Sequence, residues 1–180
     1  MQELSLNVLD IVQNSIKANA SLISIIITKQ TKAKTMEILI EDNGCGMTKE
    51  QVTNVVDPFY TTRTTRSVGL GVPFFKMSAE MTGGSFHISS EPNIGTKIIA
   101  TYHYHHIDMM PLGDMAATMI TLIGGNPNID FVYQYKLDEN EFYIDTREVK
   151  VILEGLPVNS NEVITFIRDF INENQEEIEH

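Results

Sequence analysis

Residues 41–47 read EDNGCGM and follow directly on the apolar run MEILI at 36–40. One carboxylate, Asp42, stands where a strand meets a loop, and glycines alternate after it at Gly44 and Gly46. Glycine lets a ligand approach the backbone closely and tolerates positive φ. A carboxylate facing a pocket at that point can accept a hydrogen bond from an exocyclic amino group, adenine's for example. The same letters also describe a β-turn built on an Asn-Gly pair. Three further stretches decide between these readings.

Upstream, residues 3–18 (ELSLNVLDIVQNSIKA) read as a helix. Leu4, Val8, Ile11, Val12 and Ile16 recur at helical spacing, the mark of a face packed on a core. Asn7, Asp10, Asn14 and Lys17 make a second stripe along one face. As a lone helix this is a solvated polar face. Beside Asp42 it is a row of carboxylate, amide and ammonium suited to a hydrated magnesium ion and a phosphate. Magnesium prefers oxygen ligands and keeps several waters, so one amide oxygen from the protein suffices. Between helix and glycines, LISIIIT at 22–28 reads as a buried strand and MEILIE at 36–41 as a half-exposed one. The resulting hairpin delivers Asp42.

Downstream, Thr48 and Gln51 form a capping box that opens a short helix with Val52, Val55 and Val56. Residues 57–73, DPFYTTRTTRSVGLGVP, have the composition of a mobile loop, with Phe59 and Tyr60 to anchor its near end. The loop closes on Gly69-Leu70-Gly71 and runs into a helix at 72–82, with Pro73 in its first turn. A glycine loop entering a helix start is an anion site, because free N–H groups and the helix dipole favour negative charge. A flexible hinge has the same letters. Gly83-Gly84 closes that helix, and strands at 85–90 and 96–104 follow around the turn at 91–95. Thr96, at the start of its strand, can turn its hydroxyl into the pocket of Asp42.

From about residue 108 the character changes, with Met109-Met110-Pro111 as the boundary between domains at 1–107 and 108–180. The second segment reads as a small α/β extension: a helix at 114–123, a hairpin from 131–136 and 141–144, and a helix at 161–174 with a frayed acidic tail. Residues 145–153 fit helix or strand. Asp145 and Glu148 as a capping box favour helix. His103, His105 and His106 (in HYHH) end a strand, where an exposed strand end is the simpler reading than a metal site.

The bulk numbers narrow the function. The net charge is −11 over 180 residues. Sequence-independent nucleic-acid binding and anionic-membrane binding both need clustered Lys and Arg, so neither fits. The single cysteine, Cys45, excludes an internal disulfide and a cysteine zinc site. No run reaches the length of a membrane span, and the amino terminus lacks a charged-then-apolar signal, so a cytoplasmic protein is expected.

Taken in order, these motifs resemble the ATP-binding domain of the GHKL superfamily, which holds DNA gyrase, mismatch-repair ATPases, heat-shock chaperones and sensor histidine kinases. DIVQNSIKANAS resembles its N box and EDNGCGM its first glycine box. DPFYTTR resembles the histidine-kinase F box, RSVGLG the second glycine box and GGSFHISSEPNIGT the third. The resemblance implies a Bergerat-type two-layer sandwich of helices on a mixed β-sheet that binds ATP and magnesium. It implies that Asp42 receives the adenine amino group, with Thr96 in support through water. Asn14 would bind magnesium and Lys17 touch phosphate. Gly69, Leu70 and Gly71 would offer backbone N–H groups to the phosphates. Arg66 would lie nearby on a lid at 57–71, and Gly44 and Gly46 would line the base pocket.

Two departures keep the activity open. Hydrolysing members carry glutamate four residues before the N-box asparagine, as the base that activates water. This chain has Asp10, with the same charge on a stem one methylene shorter. Sensor kinases place a dimerising helical hairpin with a phosphoacceptor histidine ahead of the domain, and here the N box starts almost at Met1. The leading expectation is a kinase-like, histidine-kinase-branch regulatory protein that passes phosphate to a partner protein. The alternatives are a slow ATPase whose lid switches a binding surface, and a non-hydrolysing, anti-sigma-like nucleotide sensor. In each, the segment after residue 108 is the surface for a partner or for a second copy of the chain.

Overall fold

The computed structural model describes residues 2–60 and 70–180. Arg66, Gly69 and most of the expected lid lie outside the described residues.

The chain runs α1 (Leu4–Lys17), β1 (Leu22–Gln30), β2 (Thr35–Asp42), α2 (Lys49–Val55), α3 (Gly71–Met81), β3 (Ser85–Glu91) and β4 (Gly95–His103). It continues with α4 (Met115–Gly125), β5 (Asp130–Leu137), β6 (Asn140–Asp145), α5 (Thr146–Leu153) and α6 (Asn161–Glu179). The strands form one six-stranded mixed sheet in the order β3-β4-β2-β1-β5-β6, with only β1 and β5 parallel. Helices cover one face, which is the two-layer α/β class expected. Among the described residues no helix is long and apolar enough to cross a membrane.

Side chains alternate across a strand, so one face of each strand faces the helices. Ile23, Ile25 and Ile27 of β1, Met36, Ile38 and Ile40 of β2, and Ile98, Ala100 and Tyr102 of β4 supply that face. Leu4, Val8, Ile11 and Val12 of α1 and Val72, Phe75 and Ala79 of α3 cover it. The isoleucine run of β1 reads as buried throughout, but its burial alternates. Leu22, Ser24 and Ile26 are only half-buried, because no helix lies over their side of the sheet.

α1 has no side-chain cap at its start. Its first amides are satisfied from far along the chain: Leu4 N–H donates to the Pro111 carbonyl at 3.0 Å and Ser5 N–H to that of Leu112 at 2.8 Å. The Thr118 hydroxyl of α4 donates to the Ser5 carbonyl. The segment after residue 107 thus completes the helix that carries Asp10 and Asn14. It also widens the sheet, since β5 pairs with β1 from Leu22↔Asp130 to Lys29↔Leu137.

The Thr48–Gln51 capping box is present. Residues 145–153 are helical, but the cap differs: Asp145 accepts from Arg147 N–H, and Glu148 accepts instead from the Tyr143 hydroxyl. The histidine run leaves the strand at His103. His105 stacks edge-on against Tyr104 and His106 pairs with Asp108.

The acidic tail is not frayed, since α6 continues to Glu179. Two tyrosines on the helix-facing side of β5 hold it. Tyr133 donates to Gln175 at 3.1 Å and Tyr135 to Glu179 at 2.6 Å. Burial pushes both hydroxyls well above their ordinary pKa, which keeps them as donors. Tyr135→Phe should therefore cost about 1 kcal/mol and speed amide exchange over residues 175–179 while leaving the rest of α6 protected. Unchanged exchange there would show that Tyr135 does not anchor the tail.

Candidate nucleotide site

The site forms where three strand ends meet α1. Ser90, Thr96 and Asp42 stand directly opposite one another on β3, β4 and β2. All three are in phase with the core residues of their strands, so their side chains point to the helix side. Asp42 is half-buried, and each of its oxygens holds one donor. Oδ2 accepts from Ser15 Oγ at 2.6 Å, and Oδ1 accepts from Gly44 N–H at 2.8 Å. An ionised carboxylate has about four acceptor positions, so half remain for a ligand.

A second hydroxyl fixes the opposite wall. Ser90 Oγ donates to the Gly95 carbonyl at 2.9 Å, accepts from Met47 N–H at 2.8 Å, and lies 2.8 Å from Thr96 Oγ1. If its one proton goes to Gly95, then Thr96 donates to Ser90 and keeps its lone pairs for the pocket. Asn43 locks the loop to the other side. Its Oδ1 accepts from Ser21 and Leu22 N–H, and its Nδ2 donates to the Ser21 hydroxyl. The Asn-Gly pair is thus a brace between β1 and β2 rather than a free turn.

The glycines meet a backbone demand. A Cβ on Gly44 would lie 2.8 Å from the Ala18 carbonyl oxygen, and one on Gly46, at φ +68°, 1.9 Å from that of Glu91. The loop is therefore pressed between the α1–β1 turn and the β3–β4 hairpin. Asn93 N–H donates to the Cys45 carbonyl, and Cys45 N–H to that of Ala18.

On α1, Asp10 and Lys17 are exposed and Asn14 is half-buried, on the polar stripe away from the packed face. Gly71 packs against Asp10, with room for a Cβ only 3.4 Å from that of Asp10. α3 begins there with Leu70 at its N-cap and no side-chain cap. Phe74 N–H bonds to the Leu70 carbonyl and Pro73 has no N–H, so among the described residues the amides of Gly71 and Val72 are the open ones of the first turn. Uncapped amides and the positive end of the helix dipole fit a phosphate. For magnesium, the described residues hold no converging group of three His, Cys, Asp or Glu side chains. That donor set fits an ion that takes one oxygen from Asn14 and the rest from phosphate and water.

The structure sets Gly71, next to Leu70, against Asp10 on α1, with Asn14 one turn further along that helix, and it joins α1 through Ser15 to Asp42, Gly44, Gly46 and Thr96 at the strand ends. Ser15, Ser90 and Asn43 carry the geometry and went unread in the sequence. Serine inside an apolar helical stripe was the one available signal. At the same strand ends, a cavity of about 500 Å³ is lined by Ser24, Glu41, Asp42, Ser90, Thr96 and Lys97, among others.

Comparison with known proteins bears on the family and the fold. The profile of the family described as histidine kinase-, DNA gyrase B- and HSP90-like ATPase matches residues 2–106. The sensor histidine kinase YvrG of Bacillus subtilis is 33% identical over 90 residues, covering 47% of this chain and 15% of that protein. A putative sensor protein of Shewanella frigidimarina is 32% identical over 99 residues, covering 54% and 15%. The chain therefore spans a small part of the length of these relatives. Among solved structures, the N-terminal domain of a DNA repair protein matches with a TM-score of 0.55 at 17% identity, over 80% of this chain and 52% of that one. At that identity the likeness is one of fold.

Proposed function

Because the chain belongs to the histidine kinase-, DNA gyrase B- and HSP90-like ATPase family, we propose that it binds ATP with magnesium and passes the γ-phosphate to a partner protein. The observation that carries the reading is the braced carboxylate of Asp42, with acceptor positions left over, at one end of a site whose other end is an uncapped helix start. Asp42 accepts from the adenine amino group, and Thr96 supports the base through water. Gly44 and Gly46 let the loop close beside it. Asn14 gives magnesium an amide oxygen, and Lys17 and the amides of Gly71 and its neighbour meet the phosphates. Arg66, Gly69 and Leu70 belong to this phosphate end on the family pattern. Magnesium, when bound, neutralises phosphate charge.

An apolar stripe beside the phosphate end supports a protein partner. Leu70, Phe74, Met77 and Met81 follow one another at intervals of four, three and four, and each is 45–50% exposed. Apolar residues at that spacing line one face of a helix. The segment at 108–180 adds exposed Val151 and Ile152 on α5, a further surface for the partner or a second copy of the chain.

A second reading has its own observation: Asp10 packs against Gly71, at the phosphate end, where a base for water would stand. The two readings part on the fate of the γ-phosphate. With pure protein, magnesium and γ-labelled ATP, the kinase-type reading expects ATP to be bound and left intact until a phosphoacceptor is supplied. Release of labelled phosphate, lost in Asp10→Asn with ATP affinity kept, replaces that reading with an ATPase switch. Absence of ATP binding sinks both.

A further inference from the structure

We infer that Ser15 is a positioning residue for the base: its hydroxyl sets the Asp42 carboxylate and, through it, the choice of a 6-amino over a 6-oxo purine. This rests on the adenine reading of Asp42 given above. Ser15 lies on the packed face of α1, 4% exposed, next to Asn14 in the chain. A serine inside a helix commonly bonds back to a carbonyl one turn earlier. Here its hydrogen bond crosses to Asp42, 27 residues on, at 2.6 Å. That length is typical of a hydroxyl donating to an ionised carboxylate.

The consequence follows from counting protons. Toward an ionised carboxylate, Ser15 can only donate, and Gly44 N–H donates to the other oxygen. Two rigid elements, a helix and a backbone amide, therefore hold the carboxylate plane. The acceptor positions left to the pocket match an exocyclic amino group. A 6-oxo purine brings an oxygen to the same place, and two acceptors face each other without a proton between them. A site built on a fixed polar group discriminates strongly, because a mismatch leaves that group unpaired. Without Ser15 the carboxylate has one anchor and can turn, so the penalty against the 6-oxo base relaxes.

A purely structural role for Ser15 predicts something else. Alanine is the better helix former, and it fills nearly the same space. A packing role would shift stability and change affinity for all nucleotides alike. The test is titration of wild type, Ser15→Ala and Asp42→Ala with ATP and with ITP, the nucleotide that has a 6-oxo group. Folding is checked by circular dichroism. Ser15→Ala should weaken ATP roughly five- to twenty-fold while ITP changes by no more than about twofold. If Asp42→Ala weakens ATP but Ser15→Ala shifts both nucleotides equally, or neither, the positioning role is overturned and the adenine reading stands. Unchanged ATP affinity in Asp42→Ala overturns the adenine reading itself. Should Ser15→Ala not fold, Ser15→Cys carries the same comparison with a weaker donor in place.

Discussion

Asp42→Ala weakens ATP binding roughly five- to hundred-fold, the equivalent of about 1–3 kcal/mol, while leaving the fold intact. The expectation follows from what each neighbour loses. The adenine amino group gives up a water on entering the pocket and finds no acceptor in return. Ser15, almost fully buried, loses the carboxylate it donates to, and Gly44 N–H loses its acceptor at 2.8 Å. A buried donor without a partner carries the full cost of its lost hydration. Isothermal titration of the variant with magnesium and ATP measures the effect. Cys45→Ser, three residues away, is the control. Its thiol is exposed and among the described residues its hydrogen bond is to the Gly46 carbonyl, at 3.6 Å, so its affinity should match wild type. Equal affinity in the Asp42 variant would place the base somewhere else.

Gly95→Ala should cost the protein about 2–5 kcal/mol of stability. Gly95 has φ +141°, and a Cβ there would stand 2.0 Å from the Asp42 carbonyl oxygen and 3.0 Å from Asn43 Cα. Both obstacles are backbone, held by the β2–β4 ladder, so neither can swing aside. A left-handed conformation costs a residue with a Cβ about 1–2 kcal/mol, and overpacking adds about 1–3 kcal/mol. In a chain of this size each kcal/mol moves the melting temperature by roughly 2–4 °C, so a fall of at least about 4 °C is expected. Gly125→Ala supplies the contrast. A Cβ there meets nothing within 4 Å, and its φ is not positive, so its melting temperature should hold or rise slightly. Equal melting temperatures in the two variants would mean that the strand ends are looser than the ladder implies.

Much of this was legible because the residues concerned obey local rules. Isoleucines alternate along β1, the α1 stripe has helical period, and Thr48 with Gln51 forms its capping box within four residues. Asp42 was legible for a different reason: a carboxylate between a strand and two glycines has few other uses. What escaped was whatever depends on a partner distant in sequence. Ser15 looks like an interruption in an apolar stripe until Asp42 is brought against it. Ser90 looks like strand surface until Met47, Gly95 and Thr96 meet around it. The tail beyond residue 174 is too acidic to suggest burial, and its order comes from two tyrosines forty-odd positions earlier. The open side of β1 is hidden in its letters, because an isoleucine run does not say which sheet face lacks a cover.

The capping of α1 by residues 111 and 112 bears on how the protein comes into being. A chain made from its amino end releases the helix with Asp10, Asn14 and Ser15 first, but the carbonyls that satisfy its opening amides leave the ribosome about a hundred residues later. The β1–β5 pairing closes a loop of similar span. Contacts this far apart in sequence form late and slow the folding of a chain. Nascent chains that end before Leu112 already carry every glycine of the site, yet their α1 lacks the carbonyls that pin it. The helix that carries Asp10, Asn14 and Ser15 is therefore pinned only after the β2–β4 ladder has been made.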